Sequence, residues 1–256
     1  MGMKLSVCGK GGSGKSTLTG LLAQQAVACG FGVLVVDSDE SNSGLYRFLG
    51  FEKPPKALMD LVGGKKKLKG KMQQPNILHN KRISIKDIPL AHRVAKNGLS
   101  MVSIGKITRA FEGCACPMGV LNREFLKKLN LEKGEIALVD MEAGIEHFGR
   151  GIDADMDAIL LVVEPSFESL AIANKIKEIA GDVNKRLWAV LNKVRSDDMK
   201  TQLVEALGQN HIEVVGVLPD DPAVFEAGLA GLPIGPCQSA EAAGKILDYC
   251  CKKTVC

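Results

Sequence analysis

Aromatic side chains are scarce in this chain, with one Trp, two Tyr and eight Phe among 256 residues. Stacked nucleobases need exposed aromatic platforms, so a nucleic-acid partner is not expected. Charge of one sign is lacking too: 33 Lys and Arg face 29 Asp and Glu, a formal net +4. Part of that surplus sits in one basic loop at 63–71, which reads as a solvated segment and makes no case for a polyanionic partner. No apolar run approaches the roughly 18 residues that cross a bilayer, and the start has no apolar h-region of a secretory signal. The expectation is a cytoplasmic protein without a membrane partner. In that reducing compartment the eight cysteines, at 8, 29, 114, 116, 237, 250, 251 and 256, point to metal binding sooner than to a disulfide framework.

What is present is a 46% hydrophobic fraction, enough for a sizeable core in one α/β domain covering 1–256. The sequence GKGGSGKST at 9–17 fits the phosphate-binding pattern G-x-x-x-x-G-K-[ST], with Gly9, Gly14, Lys15 and Ser16 in the fixed places and Thr17 next. An apolar run at 5–8 precedes it and a helical pattern follows, which is the strand–loop–helix context the motif requires. Glycines at 9, 11, 12 and 14, with Ser13 between them, allow backbone N–H groups to approach phosphate oxygens, and the next helix adds its N-terminal partial charge. Lys15 is expected on the β- and γ-phosphates, and the Ser16 hydroxyl on Mg²⁺. The loop holds a further lysine, Lys10.

The continuous β-branched run at 33–36 reads as a strand buried on both faces of a parallel sheet. It ends in Asp37-Ser38-Asp39, beside the phosphate loop if ligands sit beyond the carboxyl ends of the strands. Asp39 either orients an attacking water, joins the Mg²⁺ shell through water, or caps a helix at 41–49. A short helix is expected at 57–62 and a short hairpin at 76–85. A strand at 99–104, a helix at 118–129 and a buried strand at 136–140 follow. That last strand ends in Asp140, the acid that would hold Mg²⁺ through water, and Gly144 beyond it is placed to sense a γ-phosphate. Strands at 158–163, 187–191 and 214–218 alternate with helices at 167–179, 198–207 and 240–252. The whole predicts a mostly parallel central sheet with helices on both faces.

Taken together, the loop with Lys10, the Asp37/Asp39 pair, Asp140 and Asn192-Lys193 resemble the MinD/ParA and nitrogenase iron-protein group of P-loop ATPases. Within it the chain is most similar to the CooC-type maturation ATPases of nickel carbon monoxide dehydrogenase, on Cys114-x-Cys116, the phrase VDMEAGIEHFGRG at 139–151 and VVEP at 162–165. The resemblance implies a homodimer promoted by ATP and metal, in which Lys10 reaches the partner's nucleotide. It implies catalytic roles for Lys10, Lys15, Asp39 and Asp140, adenine contacts from Asn192 and Lys193, and a segment over the base at Leu218, Pro219 and Asp220. Its client would be apo carbon monoxide dehydrogenase or the related acetyl-CoA synthase; the other function it allows is a MinD/ParA-like positioning or regulatory switch.

Cys114 and Cys116 supply two thiolates, and two copies across a dimer axis would supply four, a set that suits Zn²⁺ or Ni²⁺; two inert buried thiols are the alternative. Ser13 stands where a valine is common, Glu40 where a proline is frequent, and Ser43 where the iron protein has a switch aspartate. The iron protein's widely spaced cluster cysteines have no counterpart, which argues against an electron-donating role.

Overall fold

In the computed structural model, which describes residues 2–64, 77–106, 116–149, 151–182 and 184–254, eight strands form one sheet in the order β3-β4-β2-β5-β1-β6-β7-β8. The strands are β1 (Met3–Gly9), β2 (Gly32–Asp37), β3 (Val94–Lys96), β4 (Leu99–Ser103), β5 (Glu135–Asp140), β6 (Ala158–Val163), β7 (Arg186–Val194) and β8 (Glu213–Pro219). All neighbours pair in parallel except β3, which runs antiparallel to β4 at the edge. This is the expected α/β architecture. Parallel strands covered on both faces need apolar side chains in both directions, and the central strands comply. Leu34, Val36, Ala137 and Val139 face one core layer. Val33, Val35, Ile136 and Leu138 face the other.

The first layer is roofed by α4 (Cys116–Lys128), α6 (Phe167–Asp182) and α7 (Asp197–Gln209), the second by α1 (Lys15–Ala28) and α9 (Gln238–Thr254). Shorter helices α2 (Leu45–Phe48), α3 (Leu58–Leu61), α5 (Glu146–Gly149) and α8 (Pro222–Ala230) sit in the connections. The apolar side of α9, with Ala243, Ile246, Leu247 and Cys250, is committed to the core; each large side chain fully buried this way contributes about 1.5–3 kcal/mol. Among the described residues no helix is long and apolar enough to cross a membrane.

Two local expectations are corrected. The helix expected at 41–49 is only Leu45–Phe48, because Asp39 Oδ1 accepts the N–H groups of Ser41 and Asn42 and Asn42 Oδ1 accepts that of Gly44. Those side-chain bonds give the backbone an alternative to the helical ladder. The expected hairpin at 76–85 is not a hairpin over its described residues. Ile77–His79 and Ile85–Asp87 are single 3₁₀ turns, and Ile83 instead exchanges backbone bonds with the end of α4.

Candidate nucleotide site

Sheet register brings the site together. β1 lies between β5 and β6, so the loop that leaves it at Gly9 emerges beside the end of β5. Asp37 and Asp140 are register partners at the ends of β2 and β5, which places two carboxylates side by side next to that loop.

The loop is shaped by positive φ angles at Gly9, Gly12 and Gly14. At Gly14 the requirement is double: φ is 102°, and a Cβ there would stand 2.1 Å from Asn192 Nδ2. Ser13 N–H closes the turn onto Lys10 O, and Lys15 is buried with its Nζ 3.4 Å from that same carbonyl. α1 begins at Lys15 with no side-chain cap and no acidic residue in its first turn, whereas Ser196 caps α7 and Asp221 caps α8. The first N–H groups of α1 are therefore left for an external anion.

Asn192 Nδ2 donates to Ser13 O at 2.7 Å, and Lys193 Nζ donates to Gly12 O at 2.7 Å. Both residues lie at an irregularity of the β7–β8 pairing, and Lys193 itself has a left-handed φ of 59°. β7 thus grips the phosphate loop from the side. The Leu218 side chain belongs to the core, and Asp220 pairs with Arg195. Thr17 is half-buried at the start of α1.

Three carboxylates converge on the other side. Ser16 Oγ donates to Asp140 Oδ2 at 2.6 Å and accepts from Asn42 Nδ2 at 2.7 Å. Asp140 is fully buried and its Oδ1 has no hydrogen-bond partner. Burial above all, with Asp37 and Asp39 adding to it, pushes its pKa to about 7 against the pull of Ser16 and Lys15. Burial likewise raises Asp37 to about 6, opposed by Lys106, whose Nζ lies 2.7 Å from Oδ2. Asp39 accepts three local bonds on Oδ1, from Ser41 N, Ser41 Oγ and Asn42 N. A hydroxyl beside a buried carboxylate whose second oxygen is orphaned suits a hard divalent cation, so Ser16 fits Mg²⁺ as a ligand and Asp140 and Asp39 fit it as residues that would act through water. When bound with nucleotide, the cation neutralises charge on the β- and γ-phosphates.

The segment after β5 touches the loop as well. Gly144 N–H donates to Gly9 O at 3.2 Å, and Ala143 lies against Gly11. Lys10 points away from the loop interior, its Nζ 2.9 Å from Glu164 Oε1. Behind the site, Asn122 of α4 donates to Ser38 Oγ, and buried Asp153 accepts from Ser6 Oγ with His147 3.6 Å away.

Asn42, Lys106 and Asn122 are contacts that motif reading does not reach, and Glu164 lies in the VVEP phrase without a role assigned to it there. Cys114 lies outside the described residues, and Cys116 opens α4 with its side chain outside them. Among the described residues no three His, Cys, Asp or Glu form a metal-holding group, and no Ni²⁺ or Zn²⁺ site is described.

The family model of the CobQ/CobB/MinD/ParA nucleotide-binding domain matches residues 5–234. An uncharacterized ATP-binding protein of Methanocaldococcus jannaschii is 42% identical over 234 residues, 90% of this chain and 92% of that one. The carbon monoxide dehydrogenase accessory protein CooC of Rhodospirillum rubrum is 33% identical over 239 residues, 90% of this chain and 88% of that one. The solved cell division ATPase MinD of Pyrococcus furiosus superposes with a TM-score of 0.74 at 22% identity, covering 99% of this chain and 100% of that one. The phosphate loop on β1, the paired strand-end carboxylates and these matches agree: the chain belongs to the CobQ/CobB/MinD/ParA nucleotide-binding family of P-loop ATPases.

Proposed function

We propose that the protein is a Mg²⁺-dependent ATPase whose nucleotide state drives homodimer closure, a regulatory switch of the MinD/ParA kind. The observation that carries this reading is the pair of segments set against the phosphate loop: 39–44 bonded through Asn42 to Ser16, and the strap after Asp140 bonded through Gly144 to Gly9. A γ-phosphate would compete for the Gly144 N–H, and a change at either contact is passed along the segment to the surface. In this reading Lys15 and the loop backbone hold the phosphates, Ser16, Asp39 and Asp140 serve Mg²⁺, Asn192 and Lys193 flank the base, with 218–220 over it, and Lys10 serves the partner's nucleotide as an added cation. Sedimentation of the protein with Mg²⁺ and a non-hydrolysable ATP analogue tests it. The expected result is a dimer that ADP does not support; a monomer under both conditions refutes the switch.

A second reading takes metal as the cargo. It is favoured by the similarity to the Rhodospirillum accessory protein over most of both chains together with Cys114 and Cys116. Two protomers would present four thiolates to Ni²⁺ or Zn²⁺, and the client would be apo carbon monoxide dehydrogenase or acetyl-CoA synthase. Metal and ATP would then be linked, each altering the other's affinity by one factor. Titrating Ni²⁺ with and without the ATP analogue decides it: equal affinities leave no coupling.

A further inference from the structure

Glu164 follows β6 and is fixed before α6 begins: its N–H donates to Ser169 Oγ, and Ser166 N–H donates back to its carbonyl. Its carboxylate bridges two ammonium groups. Oε1 accepts from Lys10 at 2.9 Å and Oε2 from Lys193 at 2.6 Å, while Lys193 also holds Gly12 O. Lys10, Glu164, Lys193 and Gly12 thus close a ring over the outer side of the phosphate loop. The lysine that the proposed function sends to a second protomer is committed to its own chain.

Resting on that reading of Lys10, we propose that Glu164 is a positioning residue that latches Lys10 within its own protomer, so that dimer closure exchanges a carboxylate for a phosphate oxygen of the partner's nucleotide. The exchange is one anion for another at the same ammonium. Lys193 makes it inexpensive, because it keeps the Glu164 carboxylate paired on Oε2 after Lys10 has left. Lys10 retains a third of its side-chain exposure and Glu164 less, so the contact is partly screened by solvent and reversible. The hydrogen bond from Lys10 to Glu164 is also what chiefly raises the Lys10 pKa while the latch is closed.

The test is the dimer dissociation constant of the full chain by sedimentation, with Mg²⁺ and a non-hydrolysable ATP analogue, for wild type, Glu164→Gln, Glu164→Ala and each of these combined with Lys10→Ala. Alanine guards against a glutamine that still accepts the lysine, and thermal melts establish that each variant is folded. Two latches open per dimer, so a loss of about threefold restraint per protomer tightens the dimer roughly tenfold. In the Lys10→Ala background the Glu164 substitutions should change nothing, a non-additivity that a merely structural role would not produce. A Glu164→Ala dimer that is unchanged or weaker overturns the latch while leaving Lys10 in its role. Equal effects with and without Lys10 overturn it too. A Lys10→Ala protein that dimerises as well as wild type removes the reading of Lys10 and the latch with it.

Discussion

Ser16 Oγ sits between Asn42 and Asp140, accepting from the amide at 2.7 Å and donating to the carboxylate at 2.6 Å. One hydroxyl therefore ties the segment after β2 to the end of β5. Replacing it by alanine removes the donor to the buried Asp140 carboxylate and frees the Asn42 amide nitrogen. The prediction for Ser16→Ala is that nucleotide affinity in Mg²⁺ falls roughly tenfold or more, whereas affinity in EDTA changes little. A fluorescent ATP analogue titrated under both conditions measures this, and equal losses would show that Ser16 serves the loop and not the cation.

The grip of β7 on the loop gives a second prediction. Gly14→Ala places a methyl against Asn192 Nδ2 and forces a side chain into φ 102°, where the backbone term alone costs about 1–2 kcal/mol. Adding Asn192→Ala removes the collision and leaves the backbone term. Thermal unfolding should then rank wild type above the double variant and the double variant above Gly14→Ala. A double variant no more stable than Gly14→Ala would mean that the Asn192 bond to Ser13 O outweighs the clash.

The sheet is legible in the sequence because parallel strands buried on both faces write continuous apolar runs, and the site's skeleton is legible because the carboxylates stand where those runs stop. What joins the skeleton is not. Lys106 reaches Asp37, Asn42 reaches Ser16, Asn122 reaches Ser38 and Glu164 reaches Lys10 across 26 to 154 positions of chain, from loops and helix faces that carry no period. Two overlooked elements did leave marks. Asn97-Gly98, both at positive φ, is the pair that favours a two-residue hairpin turn, and it joins β3 to β4. Asp221-Pro222 and Gly231 bracket α8 with a cap, a first-turn proline and a left-handed glycine. α8 has no fully buried residue, and only Val224 and Ala227 pack against the core from it, too short a stripe to announce a helix.

Asp153 supplies a pH prediction. Burial, only partly offset by the hydrogen bond from Ser6, by its own backbone and by Lys185, raises its pKa from 3.8 to about 7. The folded protein then holds this proton more tightly than the unfolded chain does. Stability tied to it is complete below 3.8 and drains away as pH rises through about 7. Asp153→Asn keeps the shape and an acceptor for Ser6 without the charge. Melting temperatures of the two proteins should coincide in acid and separate as pH rises, with the variant ahead by roughly 2–4 kcal/mol above neutrality. Should the variant be less stable at neutral pH, Asp153 is ionised and paired with His147, 3.6 Å away.

Packing between β8 and α9 gives the last prediction. Gly216 lies under Ile246: a Cβ at 216 would stand 2.2 Å from Ile246 Cγ1 and 2.6 Å from Cδ1. Ile246 is fully buried, and the backbone at Gly216 has no positive φ, so the nearest obstacle to a side chain is the isoleucine. Gly216→Ala should cost about 1–3 kcal/mol by overpacking. Ile246→Ala should cost roughly 2–5 kcal/mol by leaving a cavity. The two defects are complementary, since the methyl added at 216 enters space vacated at 246. The double variant should therefore be less unstable than the sum of the singles by more than about 0.5 kcal/mol, as read from urea melts of all four proteins. Additivity would mean that α9 moves as a body to admit the methyl. In that case α1, which packs along α9, would shift with it, and nucleotide affinity would fall in Gly216→Ala.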